Sequence, residues 1–309
     1  MSGQMIDLGK PEALRLRLPA TSANLGPGFD AVAVALDFFL EIEAEPADEF
    51  SVTARGRDAE RCARLEDHLI LETYKQIMQT NNRAIIPLAI RMANGIPLGM
   101  GCGSSAAARL AAIALAANFG RLQWNTAQIL EEAYKLEGHP DNVAACWLGG
   151  FVTAVCEGTK VHVARIDTPP EWRAIVALPD EPLSTSKARA VLPASFPLED
   201  VVANLQSVAV LGLAFSQARG ELLRLAMKDR IHQPYRADLC PLLPALLPLV
   251  GAHGILGVAL SGAGPAVLVI VDREESLAGA SNAVQNRMGA ELLICRFSEV
   301  GAFQTIENM

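Results

Sequence analysis

Apolar and polar residues alternate over 14–18, LRLRL, which predicts a strand. Residues 31–45 and 50–55 are rich in Val, Phe and Ile and read as further strands, with EPADE as the turn between them. DHLILETYKQIMQT, 67–80, opens with Asp and then keeps helical spacing, and 84–93 reads as extended. Helices are predicted over 104–119 and 126–136, each started by Ser or Thr, and strands over 150–156, 160–165 and 174–178. A polar, proline-rich stretch at 178–200 marks a change of composition, and the boundary of two lobes, 1–170 and 171–309, is placed just before it. The second lobe reads as a helix at about 198–227, a helix at about 240–250, strands at 255–260 and 266–271 around a turn, a helix at 274–287 and a strand at 291–297. Strands come first and helices later in each half, so the fold class is α+β rather than a regular βαβ alternation.

The most apolar region, Leu239 to Val271, is interrupted by prolines and glycines. A spanning helix wants about 20 unbroken apolar residues, so this region is expected to be a short buried helix and two buried strands. With 51% hydrophobic and 19% charged residues in 309, the chain buries a large core. A net charge of −8 argues against a nucleic-acid partner or a polybasic membrane contact, though not against a local anion site. The six cysteines include no CxxC pair, and Met1 to Pro11 holds no apolar leader segment, so free thiols in a reducing cytoplasm are expected. The five histidines show no metal spacing. The apolar C-terminal half fits a homodimer and fits a core equally well.

The chemistry concentrates in GIPLGMGCGSSAAARLAAIALAANFG, Gly95 to Gly120. No lysine stands where a Walker A loop needs one. Gly101, Gly103 and Ala106 satisfy the spacing of a dinucleotide fingerprint, but a second helix follows where a strand ending in an acidic residue is required. The nucleophile elbow G-x-S-x-G is absent as well. What remains is a glycine loop whose N–H groups can approach a ligand closely, feeding the N-terminus of a helix that begins Ser104-Ser105. That end carries about half a positive charge and unpaired donors, so it favours an anion without any lysine. A plain strand-to-helix turn is the competing reading.

Three further segments add to it. LPATSANLGPGFDAVAVAL, 18–36, sets Asn24 and Asp30 beside a Gly-Pro-Gly turn. LEGHPDNVAACWLGG, 136–150, places Glu137, His139, Asp141 and Asn142 within six residues, with a helix cap at Asp141 or Asn142 more natural than a metal site. GVALSGAGPAVLVIV, 257–271, is a second glycine turn, carrying Ser261, Gly262 and Gly264.

In order and spacing, these segments resemble the GHMP kinase superfamily, over most of the chain. TSANLGPGFD, EGHPDNVA, STSKARAVLP and HQPYR are similar to the homoserine kinase branch. The resemblance implies a ribosomal S5 domain 2-like N-terminal lobe and a ferredoxin-like C-terminal lobe. It implies transfer of phosphate from ATP to L-homoserine, in threonine synthesis, with Mg²⁺. It places ATP on Pro97, Leu98, Gly99, Met100, Gly101, Cys102, Gly103, Ser104, Ser105, Ala106 and Ala107, and Mg²⁺ on Ser105 and Glu137. Arg189 and Arg236 then match the substrate carboxylate, Asp30 its ammonium and Asn142 its hydroxyl, while Asn24, His139 and Thr185 complete the pocket. Mevalonate has a carboxylate but no ammonium, so Asp30 separates the two substrates. Asn142 stands where some relatives carry an aspartate base; an amide takes no proton at neutral pH, so transfer without a side-chain base is expected. Met100 and Cys102 depart from the family's usual loop, the latter suggesting sensitivity to thiol reagents. Arg109 is a charge without an assigned role in the alanine run. Two rival readings stay open: another small-molecule kinase of this superfamily, acting on mevalonate, a sugar or shikimate, and a catalytically silent sensor of a nucleotide or metabolite.

Overall fold

The structure is a computed structural model describing residues 13–307, so the expectation for Met1 to Pro11 lies outside the described residues. Strand β1 (Ala13–Asn24) and the long β2 (Gly28–Pro46) form an antiparallel pair. Then come β3 (Ser51–Gly56), α1 (Ala59–Cys62), α2 (Leu69–Thr80), β4 (Leu88–Asn94), α3 (Ser104–Phe119), α4 (Thr126–Glu137) and α5 (Asp141–Leu148). Strands β5 (Phe151–Glu157), β6 (Lys160–Ile166) and β7 (Arg173–Leu178) follow, then helices α6 (Thr185–Ala190), α7 (Leu198–Ser216), α8 (Leu223–Ala226), α9 (Gln233–Arg236) and α10 (Leu242–Leu246). The chain closes with β8 (Ile255–Leu260), β9 (Val267–Val271), α11 (Leu277–Met288), β10 (Glu291–Cys295) and β11 (Phe303–Glu307).

The first sheet runs β11-β1-β2-β4-β3, with β5 and β6 attached at the far end of β2; only β3 and β4 lie parallel. The second is an antiparallel sheet in the order β10-β7-β9-β8. Its strands show why both of its faces are apolar. Along β9, Leu268 and Ile270 join the large core shared with the first lobe, while Val267, Val269 and Val271 pack against α10 and α11. Alternation at period two sends each set to its own side. Helix α3 is apolar nearly all round because it is wedged inside that shared core, where its alanines allow close approach.

Several boundaries differ from the sequence reading. The helix expected over 198–227 is broken: α7 ends at Ser216, Ala218 adopts φ 52, and a 3₁₀ turn over Gly220–Leu222 precedes α8. Gly220 packs closely against β8: a Cβ there would lie 2.8 Å from the Leu256 side chain. Helix α7 has the length and apolarity of a spanning helix, yet its Leu211, Ala214 and Phe215 belong to the shared core and its outer side exposes Leu198, Val202, Leu205 and Leu213. Around Pro241, Pro244 and Pro248 the helix expected over 240–250 shrinks to α10 and a 3₁₀ turn. Helix α2 is capped by the His68 side chain rather than by Asp67, and α4 by an Asn125–Gln128 capping box rather than by Thr126. The last strand, β11, returns to β1, so Phe303–Glu307 lie on the first sheet rather than with the second lobe.

Candidate active site

The glycine loop joins β4 to α3. Gly99, Gly101 and Gly103 take φ of 74, 82 and 73°, the left-handed region that favours glycine. At two of them the absence of a side chain is also a packing requirement. A Cβ on Gly101 would stand 2.1 Å from the Ser261 carbonyl oxygen, and one on Gly103 1.9 Å from Thr21 Oγ1. The loop is held through its carbonyls: Gly99, Met100 and Cys102 accept from the amides of Leu183, Ala266 and Thr21, and Gly101 accepts from Ser261 Oγ at 2.8 Å. Among the described residues no bond to another segment is recorded for the amides of residues 99 to 103. Gly103, not a serine, is the N-cap of α3, and neither serine caps it. Ser105 is instead free to donate its hydroxyl to Glu137 Oε1 at 2.5 Å. Cys102 is fully buried and burial pushes its thiol up to about 12, which corrects the expectation of thiol reactivity. Cys102 and Ala107 face the core, as Met100 does in part, and Ser261 is buried as a brace for Gly101.

Glu137 is the last residue of α4, and Gly138 at φ 81 turns the chain so that His139, Asp141 and Asn142 follow beside it. Arg109 finds its role here. Its Nε lies 2.9 Å from Glu137 Oε1, and its guanidinium also donates to the Leu136 carbonyl at the end of α4. His139 Nδ1 pairs with Asp141 Oδ1 at 2.8 Å, and its Nε2 lies 3.9 Å from Glu137 Oε2. Burial alone would lower the His139 pKa; the Asp141 hydrogen bond and the charges of Asp141, Asp30 and Glu137 outweigh it and raise the value. Asp141 occupies the first position of α5, whose N-cap is Pro140. Asn142 donates its backbone N–H to Asp141 Oδ1 at 2.6 Å and accepts the Thr21 hydroxyl at 2.6 Å.

Across the cavity, Asn24 links the first motif to the third: its Nδ2 donates to the Gly262 carbonyl at 2.7 Å and its Oδ1 accepts the Asp30 amide at 3.0 Å. Asp30 and Arg189, expected to meet opposite ends of a substrate, pair with each other through a two-bond fork of 2.6 and 2.9 Å. That bonding holds the Arg189 pKa above its ordinary value. Arg236 is buried; its Nε donates to the Ala188 carbonyl at 3.0 Å. Burial first, then the neighbouring Arg189 charge, lowers its pKa.

Asn24, Asp30, Gly99, Gly101, Gly103, Ser104, Ser105, Ala106, Glu137, His139, Asp141, Asn142, Thr185, Arg189, Arg236, Gly262 and Gly264 line one cavity of about 120 Å³. Phe29 lines it too and was not singled out from the sequence, where a lone aromatic in a glycine turn gives little signal. A wider cleft of about 550 Å³ shares Gly99, Ser104 and Ser105 and continues past Leu98 to Arg61, Arg64, Asp67, His68 and Leu69. Their part in the cleft was missed: Arg61 and Arg64 lie in a short polar segment, and Asp67, His68 and Leu69 were read only as the start of a helix, which the fold brings to the loop. The all-oxygen pair Ser105 and Glu137 has the donor chemistry of a hard divalent cation. Asp30, His139 and Asp141 also converge, within 4.8 Å, but the Arg189 fork occupies both oxygens of Asp30, and Asp141 Oδ1 accepts from His139 and Asn142. Each carboxylate of the trio is thus committed to hydrogen bonds, Asp30 with Arg189 and Asp141 with His139 and Asn142.

Two family models, GHMP kinases N terminal domain and GHMP kinases C terminal, match residues 68–150 and 213–290. A homoserine kinase of Solibacter usitatus is 43% identical over 84% of this chain and 85% of its own length. The chain belongs to the GHMP kinase family, in its homoserine kinase branch. A homoserine kinase of Synechocystis is 38% identical over 87% of this chain and 89% of its own. Among solved structures, a homoserine kinase from Cytophaga hutchinsonii superposes with a TM-score of 0.81 over 99% of this chain and all of that one, at 23% identity. A putative homoserine kinase from Listeria monocytogenes gives 0.79 at 28% identity, covering 96% of this chain and 100% of the other. As a GHMP kinase the chain uses ATP, and its two-sheet α+β architecture is that of the family.

Proposed function

We propose that this chain transfers the γ-phosphoryl group of ATP to the side-chain hydroxyl of L-homoserine, giving O-phospho-L-homoserine for threonine synthesis. The observation that carries the reading is the Asp30–Arg189 pair with Arg236 in the same small cavity as the N-terminus of α3. A carboxylate and two guanidiniums beside an anion-binding helix end are complementary to a zwitterion facing a phosphate chain. The Asp30–Arg189 side chains are about one-third exposed, 33% and 38%, so in solvent their mutual attraction amounts to roughly 1 kcal/mol or less. A zwitterion that offers an ammonium to Asp30 and a carboxylate to Arg189 replaces it with charge-assisted bonds of about 1.5–3 kcal/mol each. Mevalonate would leave Asp30 uncompensated.

The phosphates lie on the amides of residues 99–103 and the first turn of α3, and the nucleoside extends into the wider cleft beyond Leu98. Ser105 and Glu137 would hold Mg²⁺, which supplies charge neutralisation on the phosphate oxygens. The substrate hydroxyl is oriented by Asn142, itself fixed by Thr21 and Asp141. His139 and Thr185 close the pocket wall, and Asn24 fixes the turn that presents Asp30. No side chain accepts the proton; it leaves to phosphate or water, since the transfer depends mainly on positioning and charge stabilisation. The direct test is ADP release from Mg·ATP with L-homoserine, beside mevalonate, L-serine and no acceptor. Release that requires homoserine, with a phosphorylated product by mass, is expected. Release with another acceptor would discard the pocket as drawn, and tight ATP binding without any release would make the chain a sensor.

A further inference from the structure

Arg236 belongs to α9, four residues long, and its guanidinium is engaged on two sides. Nε donates to the Ala188 carbonyl, and Nη1 lies 2.9 Å from Nδ1 of His232. A guanidinium has only donors, so His232 Nδ1 must be the acceptor. The other ring nitrogen, Nε2, lies 2.7 Å from the Gly26 carbonyl oxygen and must therefore carry the proton. The two bonds allow one neutral tautomer. Its frame is rigid at each end. Asp229 accepts the amides of Ile231, His232 and Gln233 at 3.0, 3.0 and 2.6 Å, anchoring the start of α9. Gly26 takes φ 87, and a Cβ there would stand 2.2 Å from the Met227 carbonyl oxygen, so the accepting turn is wedged in place. The Phe29 ring stacks on His232 at 5.2 Å and lies 5.4 Å from the Arg236 guanidinium.

Resting on the homoserine kinase reading above, we infer that His232 is a positioning residue: it ties Arg236 to the Gly26 turn and leaves Nη2 as the guanidinium nitrogen for the substrate carboxylate. Among the described residues Nη2 has no recorded partner, on a side chain that lines the cavity. Asp30 follows the same turn directly, as the third residue of β2. The groups for carboxylate and ammonium are thus held in one frame by a histidine that never touches substrate. Asp229, Arg236 and Asp30 are the charged groups acting on His232; burial depresses its pKa, in keeping with the neutral ring.

Two substitutions separate its two bonds. His232→Asn keeps an acceptor near the Nδ1 position and loses the Gly26 bond; His232→Gln keeps a donor for Gly26 and loses the acceptor for Arg236. H232Q is expected to raise the KM for L-homoserine roughly tenfold or more, with kcat and the KM for ATP within about threefold of wild type. H232N, which keeps the Arg236 bond but cuts the tie to the Gly26 turn, is expected to raise the same KM by less than H232Q does, with kcat and the KM for ATP within about threefold of wild type. With L-homoserinol, where a hydroxymethyl replaces the carboxylate, H232Q and wild type should give equal kcat/KM. A separate readout needs no variant: the ¹⁵N spectrum of the wild-type imidazoles should show this ring protonated at Nε2 and bare at Nδ1 at neutral pH. An unchanged homoserine KM in H232Q, a parallel loss of kcat, ATP affinity and Tm in both variants, or a proton on Nδ1 would overturn the inference. Wild type without homoserine-dependent ADP release would remove the kinase reading and this inference together; active wild type with an indifferent H232Q would remove the inference alone.

Discussion

From Gly99 to Ser105 the groups available to a ligand are mostly backbone amides, whereas across the cavity, at Asp30, Arg189 and Arg236, they are charged side chains. The loop is fixed before any ligand arrives, because its carbonyls are bonded to β1, to the segment before α6 and to the second glycine turn. The charged side of the pocket is paired internally: Asp30 holds Arg189, and His232 holds Arg236. Backbone donors need no rearrangement to receive phosphate; the ion pair must exchange partners to receive a zwitterion. Nucleotide binding should accordingly depend on conformation, and acceptor choice on charge.

The largest effect expected from that contrast is at Gly101. Gly101→Ala forces a left-handed φ and a 2.1 Å approach to the Ser261 carbonyl, and should cost about 3 kcal/mol or more of stability, with loss of ATP binding. Gly138→Ala, at a similar φ of 81 but with nothing within 4 Å, should cost only about 1–2 kcal/mol. Thermal unfolding and nucleotide titration of both variants would show whether packing or φ governs the loop; equal losses would break the distinction. Next comes Asp30→Asn, expected to raise the homoserine KM roughly a hundredfold, from a lost charge-assisted contact, and to change the KM for ATP by less than about threefold. A comparable rise in both constants would mean that the two halves of the site are not separable.

If the transfer proceeds without a side-chain base, as proposed, Asp141→Asn is expected to lower turnover by less than about tenfold with Tm little changed, Asp141 then serving to orient His139 and Asn142. A fall of several orders of magnitude in a folded variant would restore a base to the mechanism. The smallest effect is on stability. His68 and His232 are kept neutral by burial in the folded chain, while the unfolded chain takes up protons at both below about pH 6.5. Stability should therefore fall as pH drops from about 6.5 towards 5, by at most about 1.4 kcal/mol per pH unit for each group. His139, whose pKa is raised, acts oppositely: its contribution is complete below about 6.5 and fades as pH rises through its folded value. Denaturant titrations across that range, with His68→Asn as comparison, would check the sign; a flat profile would contradict it.

Much of this was legible along the chain. Residues 104–119 and 255–260 have the predicted bounds because one is an uninterrupted alanine-rich helix and the other a short apolar run ended by glycine. The loop's anion chemistry was legible because it resides in backbone that glycine alone permits. The break between α7 and α8 was not, since AVLGLAFSQARGELLRLAM keeps apolar residues at helical spacing through Ala218, where the backbone turns left-handed. Nor was β11, five residues long, whose place depends on register with β1 near the opposite end of the chain. Of the loop residues Met100 and Cys102, the Cys102 side chain is buried in the core and that of Met100 packs partly against it.

By itself the sequence determined the kinds of groups in the site: glycines for a backbone cradle, Ser105 and Glu137 for oxygen donors, Asp30, Arg189 and Arg236 for charge. Which of these meet, and what each leaves free, only the tertiary structure decided. Asp30 and Arg189 are 159 residues apart and Gly26 and His232 are 206 apart. Local periodicity reaches about one turn or one strand along the chain. The partner of a charged side chain is set by which distant segments the shared core brings together, and with it the side of the Arg236 guanidinium left without a protein partner.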